Sequence, residues 1–169
     1  LSGYPVFTEK VYTDLSYIAC AQKMLAATDA LYPQFATHNA LTVATVIELA
    51  KTRGLAATAF EFQRLHGMGE SLHDQLVGSY RSRIYAPVGE HKDLLAYLIR
   101  RLLENGANTS FVHLLLDAAT PIESLTESPI EQTKKLGAAP NEEIPLPKDI
   151  YGDRSNSSGF ELGYRAEYE

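Results

Sequence analysis

The sequence predicts an α/β fold in which strands alternate with helices and pair in parallel. Three observations predict it. Short strand-like runs begin near residues 5, 34, 58 and 83, a spacing of about 25 residues that is typical of a βα unit. A longer stretch whose apolar residues recur with the helical period follows each run. Hydrophobic residues make up 45% of the 169 residues, which is enough for a packed core.

The predicted strands cover residues 5–8, 34–37, 58–65 and 83–86, and the predicted helices cover residues 14–27, 40–51, 70–77 and 92–104. Asn105 and Gly106 follow the last helix, and both residue types tolerate the left-handed backbone that ends helices. Four βα units are half of a closed eight-stranded barrel, which needs about 250 residues in full. The pattern alone therefore leaves two architectures open, a small open α/β sheet or a piece of a larger barrel.

The pattern changes after Asp117. Residues 121–129 predict one or two short helices, and the stretch from Gly137 onward is rich in Pro, Gly, Ser and Asn. Such a composition favours an extended linker over a packed core. We therefore predict a domain over residues 1–136 and an interdomain linker over residues 137–169. Because the chain begins without Met and passes at once into a strand-like stretch, we expect its start to be an internal cut.

Composition excludes several classes of function. A formal net charge of −6 with scattered basic residues argues against a nucleic-acid partner. The single cysteine, Cys20, cannot form a disulfide framework, and its apolar neighbours predict a buried thiol. No run approaches the roughly 18 apolar residues that cross a bilayer. The dispersed histidines lack the spacing of a metal site, so we expect no metal.

The fourth predicted helix carries a cluster of polar side chains. At about 100° per residue, Tyr97, Arg100, Arg101 and Glu104 share one arc of the helix, and leucines and Ile99 fill the remainder. Guanidinium groups bind carboxylates or phosphates through paired hydrogen bonds, so the arc is a candidate anion site. The alternative is a solvated face on which Arg100 pairs with Glu104 at i, i+4.

Polar residues also follow the predicted strands, where active sites of parallel α/β folds lie. His38 follows the second strand, His66 the third, and Tyr85 lies at the end of the fourth. Each histidine could equally be a satisfied structural group. The loop 67–69 lacks the third glycine of a dinucleotide fingerprint and is weak support for a phosphate site.

Several longer strings are similar to the proline dehydrogenase family. They are YPQFATHN at 32–39, FQRLHGMG at 62–69, RIYAPVG at 83–89 and YLIRRLLEN at 97–105, with FTEK at 7–10. The resemblance covers roughly residues 1–117. The tail resembles, more loosely, the linker between the two enzymes of a bifunctional proline utilization A chain.

The resemblance implies the C-terminal portion of a distorted (β/α)₈ barrel that holds FAD. It also implies oxidation of L-proline to Δ¹-pyrroline-5-carboxylate by hydride transfer to flavin N5, with a membrane quinone as the electron acceptor. By motif position, Arg100 and Arg101 would bind the proline carboxylate, and Tyr85, Tyr97 and Leu65 would wall the ring. The implied FAD contacts are Thr8, Lys10, Thr13, His38, Asn39, Gln63 and Glu104.

Early barrel strands of the family, with a substrate-side lysine and aspartate, would precede Leu1. We therefore expect the functional unit to include a preceding barrel segment, in the same or a separate chain. The resemblance also leaves room for a downstream aldehyde dehydrogenase domain and implies a cytoplasmic location, peripheral to the inner membrane. Two alternatives remain, a non-catalytic barrel fragment and an unrelated α/β module that binds a carboxylate or phosphate through the arginine pair.

Overall fold

The structure is a computed structural model that describes residues 3–107 and 111–156. Three strands, β1 (Gln34–Ala36), β2 (Glu61–Leu65) and β3 (Arg81–Tyr85), form a parallel sheet in the order β1-β2-β3. The helices are α1 (Lys10–Leu25), α2 (Ala40–Thr52), α3 (Glu70–Asp74), α4 (His91–Gly106), α5 (Phe111–Leu116), α6 (Ile122–Thr126) and α7 (Pro129–Leu136), followed by a 3₁₀ turn at Pro147–Asp149. The predicted α/β class with a parallel sheet is confirmed.

The core lies on one face of the sheet. Phe35 of β1 and Phe62 of β2 are register partners and are both buried, whereas Gln34 and Ala36 on either side of Phe35 are exposed. This alternation follows from the two-residue period of a strand. Phe60 packs edge-on against both phenylalanines, at ring-centroid distances of 6.0 Å and 5.6 Å, a geometry that aromatic rings prefer. Leu25 of α1 and Val46 of α2 belong to the same cluster.

The predicted strand at residues 5–8 is wrong, because the described structure has bends there and no strand. Pro5 has no N–H to donate to a neighbouring strand, and Val6 is 74% exposed. Neither hydrogen bonding nor burial therefore favours a strand at these residues. The described residues therefore contain three strand–helix units instead of four. The third helix is also shorter than predicted, since α3 ends at Asp74 and turns follow it.

The chain divides into two compact units. The sheet unit comprises Ser16–Ser128, and the terminal unit comprises Leu1–Leu15 together with Pro129–Glu169. Within the terminal unit, the Tyr4 hydroxyl donates to the Ile144 carbonyl at 2.6 Å, and the Tyr12 hydroxyl donates to the Ala139 carbonyl at 2.7 Å. Part of the predicted linker is thus hydrogen-bonded to the N-terminal segment. The proposed boundary at residue 137 stays a prediction, and residues 157–169 of the predicted linker lie outside the described residues.

Two further expectations concern single features. Cys20 is exposed, which corrects the predicted burial of its thiol. The buried side of α1 is carried by Ala21 and Leu25, and Cys20 lies one residue, about 100°, away from that line. Among the described helices, none is both long and apolar enough to cross a membrane.

Candidate functional site

The carboxyl ends of the three strands form an edge at which several of the predicted site residues lie. Leu65 and Tyr85 are register partners at the ends of β2 and β3. The ladder continues for one bond, because the His66 N–H donates to the Tyr85 carbonyl at 2.8 Å. His38 follows β1 by two residues. Since parallel strands end at the same edge, three separate stretches of sequence contribute to one site.

Helix α4 adds an aromatic and a charged side chain to this edge. The rings of Tyr85 and Tyr97 lie 6.3 Å apart, and the Arg101 guanidinium lies 5.4 Å from the centre of the Tyr97 ring. Arg101 Nη1 also forms an ion pair with Glu104 Oε2 at 2.6 Å. The stacked ring and the carboxylate hold the planar guanidinium in one orientation.

The two arginines differ in environment. Arg101 is half-buried, and its Nε is buried without a hydrogen-bond partner among the described residues. A buried donor without a partner is costly, so this atom is a natural contact for an anionic ligand. Arg100 is exposed and forms no ion pair with the described residues. The alternative pairing of Arg100 with Glu104 is wrong, because Glu104 pairs with Arg101, one turn away at i, i+3.

His38 is fixed by a backbone contact. Its Nε2 accepts a hydrogen bond from the Leu65 N–H at 3.2 Å, so the neutral ring carries its proton on Nδ1. Burial lowers the pKa of His38 from its ordinary value of 6.5. The charge of Glu104 raises this pKa, and the charge of Arg101 lowers it further. The ring is therefore neutral at pH 7. No hydrogen bond occupies Nδ1–H within the described part of the chain, which leaves a donor for a ligand.

Gly69 lies directly against His38. Its φ of +64° is in the left-handed region, and a Cβ at this position would be 2.8 Å from His38 Cδ2. A Cβ at that distance would force the imidazole or the backbone to shift. Glycine is therefore required here both by backbone conformation and by space.

Asn39 and Gln63, two predicted cofactor contacts, also have structural roles. Asn39 caps α2, since its Oδ1 accepts from the Leu41 N–H at 2.9 Å and the Thr42 N–H at 3.3 Å. The Gln63 amide donates to Glu61 Oε1 at 2.9 Å. Their contacts with a cofactor stay predictions.

The three remaining predicted cofactor residues belong to the terminal unit. The Thr8 hydroxyl accepts from the Asn141 N–H at 2.8 Å. Lys10 contacts both carboxylate oxygens of Asp14 at 2.6 Å, and Thr13 is exposed. Lys10 retains a third N–H and Thr8 an O–H, so both can still donate to a ligand.

Sequence reasoning missed two buried polar residues of the sheet unit. Glu61 is 3% exposed and binds Arg83 through two hydrogen bonds, at 2.6 Å to Nε and 2.9 Å to Nη2. His73 is 1% exposed, with Nδ1 3.0 Å from Ser82 Oγ and Nε2 3.0 Å from the Thr37 carbonyl. Alternation along β2 and β3 could have paired Glu61 with Arg83, but no pattern distinguishes His73 from an exposed histidine. Within residues 3–107 and 111–156, no group of three potential ligands could hold a metal ion.

Fold and site together define an α/β protein that presents a fixed guanidinium and two neighbouring phenols where parallel strands end. The family model described as proline dehydrogenase matches residues 1–114. The chain belongs to the proline dehydrogenase family, as the sequence strings predicted.

Named relatives agree with this assignment. The chain is 52% identical to the bifunctional protein PutA of Salmonella typhimurium, over 96% of this chain and 13% of that protein. It is 37% identical to proline dehydrogenase 2 of Bacillus subtilis, over 62% of this chain and 34% of the relative. The chain thus spans only a small part of the relatives that it matches.

Solved structures show the same likeness. A variant of proline utilization A (PutA) from Bradyrhizobium japonicum is 53% identical with a TM-score of 0.85, covering 99% of this chain and 17% of that one. PutA from Bdellovibrio bacteriovorus, inactivated by N-propargylglycine, is 36% identical with a TM-score of 0.74, covering 87% of this chain and 15% of that one.

Proposed function

We propose that this chain is the C-terminal part of a (β/α)₈ barrel that oxidises L-proline to Δ¹-pyrroline-5-carboxylate with FAD. The observation that carries the proposal is the state of Arg101. Its guanidinium is held by Glu104 and Tyr97, and its buried Nε lacks a partner. A ligand carboxylate would satisfy that donor, and Arg100 on the same helix would supply a second charge.

The chain's own residues would orient the substrate for this reaction. Tyr97 lies against the guanidinium, Tyr85 lies next to Tyr97, and Leu65 is the strand neighbour of Tyr85. Together the three would form an apolar wall for the pyrrolidine ring. A ring held by its carboxylate at one end and this wall at the side has few orientations left, which favours the reactive one. The wall also displaces water, which strengthens the interaction between guanidinium and carboxylate.

The residues present suit a flavin beside this substrate. Bound FAD supplies a hydride acceptor at N5, and the electrons then pass to a membrane quinone. His38 offers an unpartnered Nδ1–H, and Gly69 leaves the edge beside it free of a side chain. We assign Thr8, Lys10, Thr13, His38, Asn39, Gln63 and Glu104 to FAD.

Part of the barrel must come from elsewhere. All five residues of β3 are exposed, and so are Leu95, Leu98, Ile99, Leu102 and Leu103 on α4. An uncovered sheet edge and apolar helix face favour a chain that needs a preceding barrel segment. We call the chain joined to that segment the completed protein. By itself, the chain would be a non-catalytic fragment.

Further assignments extend to the whole protein. We place residues 137–169 in an interdomain linker, followed by a downstream aldehyde dehydrogenase domain. The location proposed is cytoplasmic, peripheral to the inner membrane that holds the quinone. The relatives named as bifunctional PutA support a second activity elsewhere in the whole protein. The linker, the identity of the downstream domain and the location are proposed from the family resemblance.

The test uses the completed protein without oxygen. Its flavin absorption band should bleach when L-proline is added. Arg101→Met should raise the KM for proline about 100-fold through loss of a charge-assisted contact, with flavin content unchanged. Arg53→Met, which alters an exposed arginine at the end of α2, is the matched control and should leave KM unchanged. A band that proline does not bleach, or equal effects of the two substitutions, would contradict the proposal.

A further inference from the structure

We infer that His73 is a positioning residue that holds the turn 37–39 in the conformation that binds flavin. The inference rests on the proposed function, because His38 and Asn39 in this turn are assigned to FAD. His73 lies on α3, between the family-like strings at 62–69 and 83–89. Its burial and its two hydrogen bonds indicate what it does.

The partners of His73 define the tautomer of its neutral ring. A carbonyl can only accept, so Nε2 carries the proton and donates to the Thr37 carbonyl at 3.0 Å. In the neutral ring, Nδ1 then accepts from the Ser82 hydroxyl at 3.0 Å. One imidazole therefore joins the end of β1 to β3 across the sheet, and its 1% exposure excludes water as a substitute partner.

The Thr37 carbonyl belongs to the peptide that leads into His38. The other polar groups of Thr37 are already used, since its N–H donates to the Gln63 carbonyl at 3.3 Å and its Oγ1 accepts from the Asn39 N–H at 3.1 Å. β1 is three residues long and pairs with β2 alone among the described strands. The hydrogen bond from His73 therefore fixes the orientation of the Thr37–His38 peptide, which could otherwise rotate toward or away from the sheet.

The same contact places His73 against His38. Their ring centroids lie 6.4 Å apart with the planes at 65°, so one ring presents its edge to the other. With Gly69 on another side and the Leu65 N–H on Nε2, His38 is held from three directions. A change at His73 should therefore reorient Nδ1–H of His38, which is the donor available to flavin.

A histidine that merely stabilises the core would lower stability without changing flavin affinity. Two amide substitutions separate these roles, because a glutamine amide can occupy the position of Nε2 and an asparagine amide that of Nδ1. His73→Gln keeps the bond to the Thr37 carbonyl, and His73→Asn keeps the bond to Ser82. Ser82→Ala removes the second bond while His73 stays in place and serves as the control.

The experiment measures the Kd of FAD for the apo form of each completed protein by fluorescence titration, and the free energy of unfolding by urea. His73→Asn should raise the Kd about three- to tenfold, the effect expected for one neutral hydrogen bond. His73→Gln and Ser82→Ala should keep the parent Kd, although all three lower stability. Equal Kd values for Asn and Gln variants would overturn the inference while leaving the proposed function intact. A parent protein that binds no FAD would overturn both.

Discussion

At the scale of single residues, the contact between Gly69 and His38 gives the sharpest test of the site. Gly69→Ala adds a Cβ 2.8 Å from His38 Cδ2 at a φ of +64°, so it strains the backbone and displaces the ring. We expect a loss of about 1–3 kcal/mol in stability from the strained backbone. We also expect at least a threefold weaker affinity for FAD, which is about the loss of one hydrogen bond.

Gly67→Ala provides the control for this change. Gly67 has a φ of +80°, but a Cβ there meets no atom within 4 Å. Both variants therefore carry backbone strain, and only Gly69→Ala displaces His38. Urea unfolding and FAD titration of the completed protein measure the two effects. Equal flavin affinities in the two variants would show that the position of His38 does not affect the cofactor.

The sequence predicted which residues lie together only where side-chain chemistry and spacing along one helix were enough to place them. The shared arc of Tyr97, Arg101 and Glu104 was predicted, and the structure brings the three together. The sequence could not tell which arginine Glu104 binds, because i, i+3 and i, i+4 partners are equally near on a helix. Nor could it distinguish buried His73 from exposed His66, since that depends on partners distant in sequence.

At the scale of elements, an ion pair joins β2 to β3. Glu61 faces Arg83 diagonally across the ladder, and the Arg83 guanidinium lowers the pKa of Glu61 below its ordinary value of 4.5. A depressed folded-state pKa stabilises the protein at every pH above 4.5, and that contribution is lost as pH falls through the folded value. The exposed side of Arg83 keeps the effect modest.

Glu61→Gln should therefore cost about 1–3 kcal/mol near pH 7, because Arg83 loses its charged partner. The difference from the parent should shrink as pH falls from 4.5 through the lower folded-state pKa of Glu61, since the carboxylate is protonated first in the unfolded chain and then in the folded protein. Urea unfolding across this range measures it. Glu48→Gln, which alters an exposed pair with Lys51, should have little effect throughout. A difference for Glu61→Gln that did not change with pH would contradict the assignment.

Helices were predicted better than strands because their signals are local. Helix α2 begins at Ala40 as predicted, and Asn39 caps it through its own side chain. A strand depends on a partner that the local sequence does not name, so residues 5–8 looked strand-like without forming one. The hydrogen bonds from Tyr4 and Tyr12 to residues 144 and 139 were unpredictable for the same reason, because they join positions far apart in the chain.

At the scale of the whole molecule, the exposed apolar face of α4 predicts a difference between the isolated chain and the completed protein. Leu102 is 72% exposed, and so is Ile122 on α6. If the preceding barrel segment covers α4, Leu102→Gln should cost about 2 kcal/mol in the completed protein, the value of burying one leucine. In the isolated chain it should change stability by less than about 0.5 kcal/mol, as exposed substitutions do.

Ile122→Gln is matched in exposure and should be nearly neutral in both proteins, because α6 lies outside the strand–helix repeat. Urea unfolding measures the change in the free energy of unfolding for each variant. Two variants in two proteins, the isolated chain and the completed protein, give four values to compare. A penalty for Leu102→Gln that appears only on completion would identify α4 as a surface that the preceding segment covers. Equal penalties in the two proteins would mean that this face stays open, and the barrel would then have to close elsewhere.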